Sequence, residues 1–171
     1  SEWPAIVGTA ERHQHIWASI GIHPHEADTH EHVDTERLVA AAAHEKVVAI
    51  GETGLDYYYD HSDRLQQQLS FREHIAAARQ TGLPLIVHTR DAEADTARIL
   101  VEEMEQGAFP ALIHCFTALA DFARKVLELG LTISLSGIVT FKNARDLQAI
   151  AAEVPEDRLL VETDAPFLAP V

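Results

Sequence analysis

An α/β fold with a parallel sheet, of the TIM-type (β/α) barrel kind and incomplete in this chain, is what the sequence predicts. Three observations carry that expectation. The first is Val47–Asp56, where four apolar residues run into Gly51 and Glu52, the pattern of a strand buried on both faces. The second is recurrence. Leu-Pro-Leu-Ile-Val-His-Thr-Arg at 83–90, Ala-Leu-Ile-His-Cys-Phe at 111–116 and Leu-Leu-Val-Glu-Thr-Asp-Ala-Pro at 159–166 are further apolar runs that each meet a histidine or a carboxylate. The third is alternation, since helix-like stretches separate these runs. Polar residues that end several different strands favour a barrel over a doubly wound sheet, whose ligands gather at one crossover. An open sheet is the alternative.

Taken in order, residues 4–9 form a short apolar run that reads as a strand. A second run, 16–25, reads as a strand ending at His23-Pro24-His25. Only about six residues separate the two, whereas a parallel crossover needs roughly a dozen, so a helix is expected to be missing between Ala10 and Glu11. Residues 26–35 are polar and acidic, a surface loop. Asp34 or Thr35 caps a helix over 36–43. The strand at 47–51 follows, with Gly51 and Gly54 bracketing Glu52 where strand gives way to loop. Ser62 is placed to cap a helix over 63–80, in which Leu65, Leu69, Ile75 and Ala76 recur at helical spacing and His74 has a structural role. Gly82 closes it and Pro84 opens the strand at 83–90. A helix at 92–106 ends at Gly107. Then come a strand at 111–114, a helix at 119–129, a strand at 131–136, a helix at 143–153 and the strand Leu159–Val161.

Composition narrows the function. The 171 residues are 47% hydrophobic, enough for one domain, 1–171, with a substantial core. A formal net charge of -14 argues against a broad basic surface for nucleic acid, leaving a local patch, a metal or a helix N-terminus as routes to it. Cys115 is the sole cysteine, so no internal disulfide forms, which fits a reducing compartment. With no membrane-length apolar run and no signal-peptide pattern at the start, the expectation is a cytoplasmic enzyme.

Glu52, His88, His114 and Asp164 form a set of nitrogen and oxygen donors suited to zinc, manganese or a similar divalent ion, magnesium preferring an all-oxygen shell. Glu52 is the natural bridge between two metals. Asp164 is placed both to bind a metal and to accept the proton of an attacking water. Glu162, two residues earlier on the same strand side, is either its supporting partner or half of a buried ion pair. His23 and His25 flank Pro24 as a rigid turn or a substrate contact. Arg90 faces a phosphate from the rim or pairs with Asp91 or Glu93. Lys142 and Arg145 are weaker candidates for the same phosphate.

These residues carry a resemblance. Gly-Ile-His-Pro-His at 21–25, Gly-Glu-Thr-Gly-Leu-Asp-Tyr-Tyr at 51–58, Val-His-Thr-Arg-Asp at 87–91, His-Cys-Phe at 114–116, Ser-Gly-Ile-Val-Thr-Phe-Lys-Asn at 136–143 and Glu-Thr-Asp-Ala-Pro at 162–166 resemble, in this order, the TatD family of metal-dependent deoxyribonucleases in the amidohydrolase-like superfamily. The resemblance implies a distorted TIM barrel, seen here as its second to eighth strands. It also implies two divalent ions (Mg, Mn or Zn) and metal-assisted hydrolysis of DNA phosphodiesters, commonly from the 3′ end of single strands. Glu52, His88, His114 and Asp164 fall on the family's ligand positions, and His23 and Arg90 near its substrate surface. The family's first strand, with its His-x-His ligand pair, and its C-terminal helices have no counterpart. His13-Gln14-His15 has the spacing without the preceding apolar strand. Other functions compatible with the same donors are hydrolysis of an amide, ester or lactone, or an inactive scaffold.

Overall fold

The computed structural model describes residues 2–30 and 32–171. Six strands, β1 (Ala18–Ile20), β2 (Val47–Asp56), β3 (Leu85–Arg90), β4 (Ala111–Ile113), β5 (Thr132–Leu135) and β6 (Leu159–Val161), lie side by side in chain order in one sheet. Every neighbouring pair is parallel. Helices α1 (Trp3–Arg12), α2 (Thr35–Ala42), α3 (Arg64–Thr81), α4 (Glu93–Gln106), α5 (Ala120–Glu128) and α6 (Arg145–Glu153) flank it. The sequential strand order with helical crossovers is that of a TIM-barrel-like wall, and among the described residues β1 and β6 do not pair with each other.

The seventh expected strand is absent because residues 4–9 are helical. The helix α1 runs without a break through Ala10 and Glu11, which overturns the expected missing segment there. Pro4 is tolerated because it sits in the first turn, where an amide hydrogen has no intrahelical partner anyway. Trp3, Val7 and Ala10 fall at i, i+4 and i+7 and pack on the core. Trp3 Nε1 donates to Gly21 O at 3.0 Å, fastening α1 beyond the end of β1.

The core lies between sheet and helices. Phe71, Ile75 and Ala78 of α3 share one buried cluster with Ile50 and Leu55 of β2 and Leu85 and Val87 of β3. Each fully buried large side chain there contributes about 1.5–3 kcal/mol. Asp34 caps α2, accepting from Arg37 N at 3.0 Å. Asp63, not Ser62, caps α3, accepting from Leu65 N and Gln66 N. Ser62 is instead buried and donates to His25 O at 2.8 Å. Within the polar stretch 26–35, Asp28–His30 forms a 3-10 turn, and Glu31 lies outside the described residues.

The strand β2 does not stop at Gly51. It continues to Asp56, paired with β3 from Thr53↔Val87 to Asp56↔Arg90. Gly54 makes this possible. Its φ is +137°, and a Cβ there would come within 2.0 Å of His88 O. Glu52 therefore sits within a strand rather than at the start of a loop, with Asp56 four residues further along it.

Candidate metal centre

The candidate residues meet at the carboxyl edge of the sheet. His23 follows β1, Glu52 and Asp56 belong to β2, His88 to β3, His114 follows β4, and Glu162 and Asp164 follow β6. All of them but Glu162 line an open cleft of about 600 Å³, whose lining also includes Tyr59, Arg90 and Phe167.

Two groupings repeat one pattern. In the first, His88 stands between two carboxylates, Nδ1 at 3.0 Å from Glu52 Oε1 and Nε2 at 3.2 Å from Asp56 Oδ2. In the second, His114 Nδ1 is 2.8 Å from Glu162 Oε2 and Nε2 is 3.3 Å from Asp164 Oδ1. In each, one carboxylate is the more buried, Asp56 at 1% side-chain exposure and Glu162 at 20%, and the other opens to the cleft, Glu52 at 31% and Asp164 at 35%. The buried carboxylate orients the ring and fixes its tautomer.

This donor chemistry fits a cation. An imidazole flanked on both nitrogens by carboxylates satisfies both only as imidazolium, or with a cation in place of one proton. For His114 the Glu162 hydrogen bond outweighs burial, and with the nearby carboxylates it pushes the pKa up to about 9. Burial pushes Glu52 upward, yet the His88 hydrogen bond and the charges of His114 and His88 hold it below the usual carboxylate range. Asp56 is also held low. Burial opposes this, but the Tyr59 amide, the His25 hydrogen bond and His88 prevail.

Donor atoms of His23, Glu52 and His88 lie within 4.8 Å of one another, close enough to share one divalent ion. Among them His23 is the odd member. Its Nδ1 accepts the amide hydrogen of His25 at 3.2 Å, which in a neutral ring leaves the proton on Nε2. Burial, helped by the neighbouring His88 and His25, lowers its pKa to about 4, so the ring is neutral and Nε2–H points a donor toward Glu52, 3.8 Å away.

The structure thus joins Glu52 and His88, adds His23 to them, and pairs His114 with Asp164 as a neighbouring group. Arg90 lies at the rim, over the rings of Tyr58 at 4.1 Å and Tyr59 at 4.8 Å, and the expected alternative pairing with Asp91 or Glu93 does not form. Lys142 and Arg145 are exposed away from the cleft lining. Asp56 is the member of this cluster that the sequence expectation omitted, and its signal was the i+4 spacing from Glu52, hidden once β2 was expected to end at Gly51. His25 donates to that same carboxylate at 2.8 Å.

Comparison with known proteins agrees with this geometry. The sequence model of the family described as TatD related DNase matches residues 1–171. The metal-dependent hydrolase YcfH of Escherichia coli K12 is 52% identical over 153 residues, which cover 90% of this chain and 57% of that protein. The 3′-5′ ssDNA/RNA exonuclease TatD of Cronobacter sakazakii is 37% identical over 163 residues, 94% of this chain and 61% of its own length. The crystal structure of the TatD homolog YJJV from Escherichia coli K12 superposes with a TM-score of 0.88 at 30% identity, covering 99% of this chain and 66% of that one. The chain therefore spans less than two thirds of these relatives, and it belongs to the TatD family of metal-dependent hydrolases, within the amidohydrolase-like superfamily.

Proposed function

We propose that the chain carries the catalytic floor of a divalent-metal-dependent deoxyribonuclease that removes nucleotides from the 3′ end of single-stranded DNA. The carrying observation is the pair of carboxylate–imidazole–carboxylate groupings side by side at one sheet edge. Support for the substrate comes from Arg90, whose guanidinium sits on aromatic faces at the rim with no carboxylate partner among the described residues, and from the activity named for the Cronobacter relative.

Glu52 and His88 would hold one cation, and His114 with Asp164 would offer donors to a second, Glu52 bridging the two. When bound, a divalent ion acidifies water and neutralises charge on a phosphoryl oxygen. The protein's own groups do the rest. Asp164 accepts the proton of the attacking water at its cleft-facing carboxylate. His23 Nε2–H donates to a non-bridging phosphoryl oxygen. Arg90 binds a neighbouring phosphate. Asp56 and Glu162 keep His88 and His114 in the tautomers that turn a lone pair to the cleft.

A substrate panel tests the reading. Full-length protein with Mn²⁺ is expected to shorten 3′-ended single-stranded DNA and to leave small amides, esters and lactones intact. Turnover of the small substrates without cleavage of DNA would replace the nuclease reading with the amide, ester or lactone hydrolase.

A further inference from the structure

Three consecutive tyrosines follow Asp56, and they do not share one fate. Tyr57 turns inward, its hydroxyl donating to Asp95 Oδ2 at 2.8 Å and its ring covered by Arg64. Tyr58 and Tyr59 turn outward and are 57% and 48% exposed. Large aromatic side chains left in solvent gain nothing from the core, so their placement calls for another reason.

Their placement is also fixed. The amide hydrogens of Tyr58 and Tyr59 both bond to Asp56 Oδ1, at 3.0 and 2.9 Å. The other oxygen of that carboxylate meets His25 and His88. One buried side chain thus ties the aromatic loop to the candidate metal centre. Arg90 lies over both outward rings, and His61 stacks on Tyr59 with the ring planes 4° apart. Phe167, which lines the same cleft, is 70% exposed.

We propose that Tyr58, anchored by Asp56, clasped on one side by Arg90 and braced by the Tyr59–His61 pair that stands perpendicular to it at 4.8 Å, forms a stacking ledge for an unpaired nucleobase of single-stranded DNA whose phosphodiester lies on the carboxylate–imidazole floor. This rests on the nuclease reading and deepens it. Aromatic faces beside a lone guanidinium are the elements with which proteins hold single strands, base on ring and phosphate on cation. A base paired in a duplex has its faces covered by its neighbours and cannot use such a ledge. The arrangement therefore selects unpaired ends despite the net charge of -14, which gives no broad electrostatic attraction.

The test is equilibrium binding of a labelled single-stranded phosphorothioate oligonucleotide to full-length protein with Mn²⁺, followed by anisotropy. A second oligonucleotide carries abasic sites near its 3′ end. The parent is expected to bind the base-bearing strand more tightly than the abasic one. The double variant Tyr58→Leu, Tyr59→Leu is expected to lose on the order of ten- to a hundredfold on the base-bearing strand and to match the parent on the abasic one. The Tyr58→Phe, Tyr59→Phe variant should stay within threefold of the parent on both. An equal loss on both strands would mean that the rings serve only to hold Arg90 against phosphate, and the ledge would fall. It would fall equally if the parent bound both strands alike or neither. Discrimination between the strands without any phosphodiester cleavage in a parallel assay would keep the ledge and remove the nuclease reading.

Discussion

At the scale of single residues, the arrangement rests on which nitrogen of each histidine faces which carboxylate. His88 turns Nδ1 to Glu52 and Nε2 to Asp56, and His114 uses the opposite nitrogens for its buried and cleft-facing carboxylates. Asp56 is the residue on which most converges, since it meets two imidazoles and two amides. Asp56→Asn keeps its size and one carbonyl oxygen but removes the charge that fixes His88. Mn²⁺ affinity, measured by calorimetry, should fall about 10–100-fold, the range typical for loss of an outer carboxylate. An affinity within threefold of the parent would show that Asp56 does not orient the ligand. That Glu52, His88, His114 and Asp164 gather at one edge was legible from the apolar runs that precede them. Asp56 was not, because its role depends on β2 continuing past Gly51, and that depends on the backbone approach that Gly54 allows.

At the scale of elements, the site is held by short loops tied to the helices behind them. The segment after β1 is fastened to α3 by His74, which is fully buried. Its Nε2 accepts the amide hydrogen of Ile22 at 2.8 Å and its Nδ1 donates to Ser70 O at 2.7 Å. Burial lowers its pKa from 6.5 to about 4, against the opposing pull of the Ser70 carbonyl and Glu73. The unfolded chain binds this proton more readily than the folded one. Stability from His74 is therefore fully present above pH 6.5 and is lost as pH falls from 6.5 toward 4. The loss amounts to about 3 kcal/mol. Urea denaturation of the parent and of His74→Gln, at pH 7 and pH 4.5, should give a parent whose stability drops more steeply by about that amount. Equal slopes would mean that the ring does not stay neutral in the fold. The structural role of His74 was legible from its place inside a helix, although Leu65 and Leu69, two of the apolar residues expected to mark its packed side, face solvent. The helix α1 was not, because its apolar residues from 4 to 9 satisfy a strand pattern over a few positions. The helical period becomes clear only when Trp3 and Ala10 are included. Ser62 and Asp63 stand side by side and both suit a cap. Only the tertiary bond from Ser62 to His25 decides between them.

At the scale of the whole molecule, six parallel strands in chain order bring residues from across the sequence to one edge. That convergence was legible, since parallel strands joined by helices place their carboxyl ends together. The number of strands was not, and the sheet order does not depend on the one that proved helical. Among the described residues no helix is long and apolar enough to cross a membrane. The surface carries a net charge of -14, so a cleft floored with carboxylates would repel a phosphodiester unless cations stood between them. The central claim is therefore that cleavage depends on divalent ions held by this floor and on Asp164 as the proton acceptor. The most direct measurement is single-turnover cleavage of a labelled single-stranded oligonucleotide by full-length protein, stripped of metal and then titrated with Mn²⁺, beside Asp164→Asn. The stripped protein should be inactive, Mn²⁺ should restore cleavage, and at saturating Mn²⁺ the variant should be slower by about two to four orders of magnitude. Undiminished cleavage without metal, or a saturated variant within threefold of the parent, would contradict it.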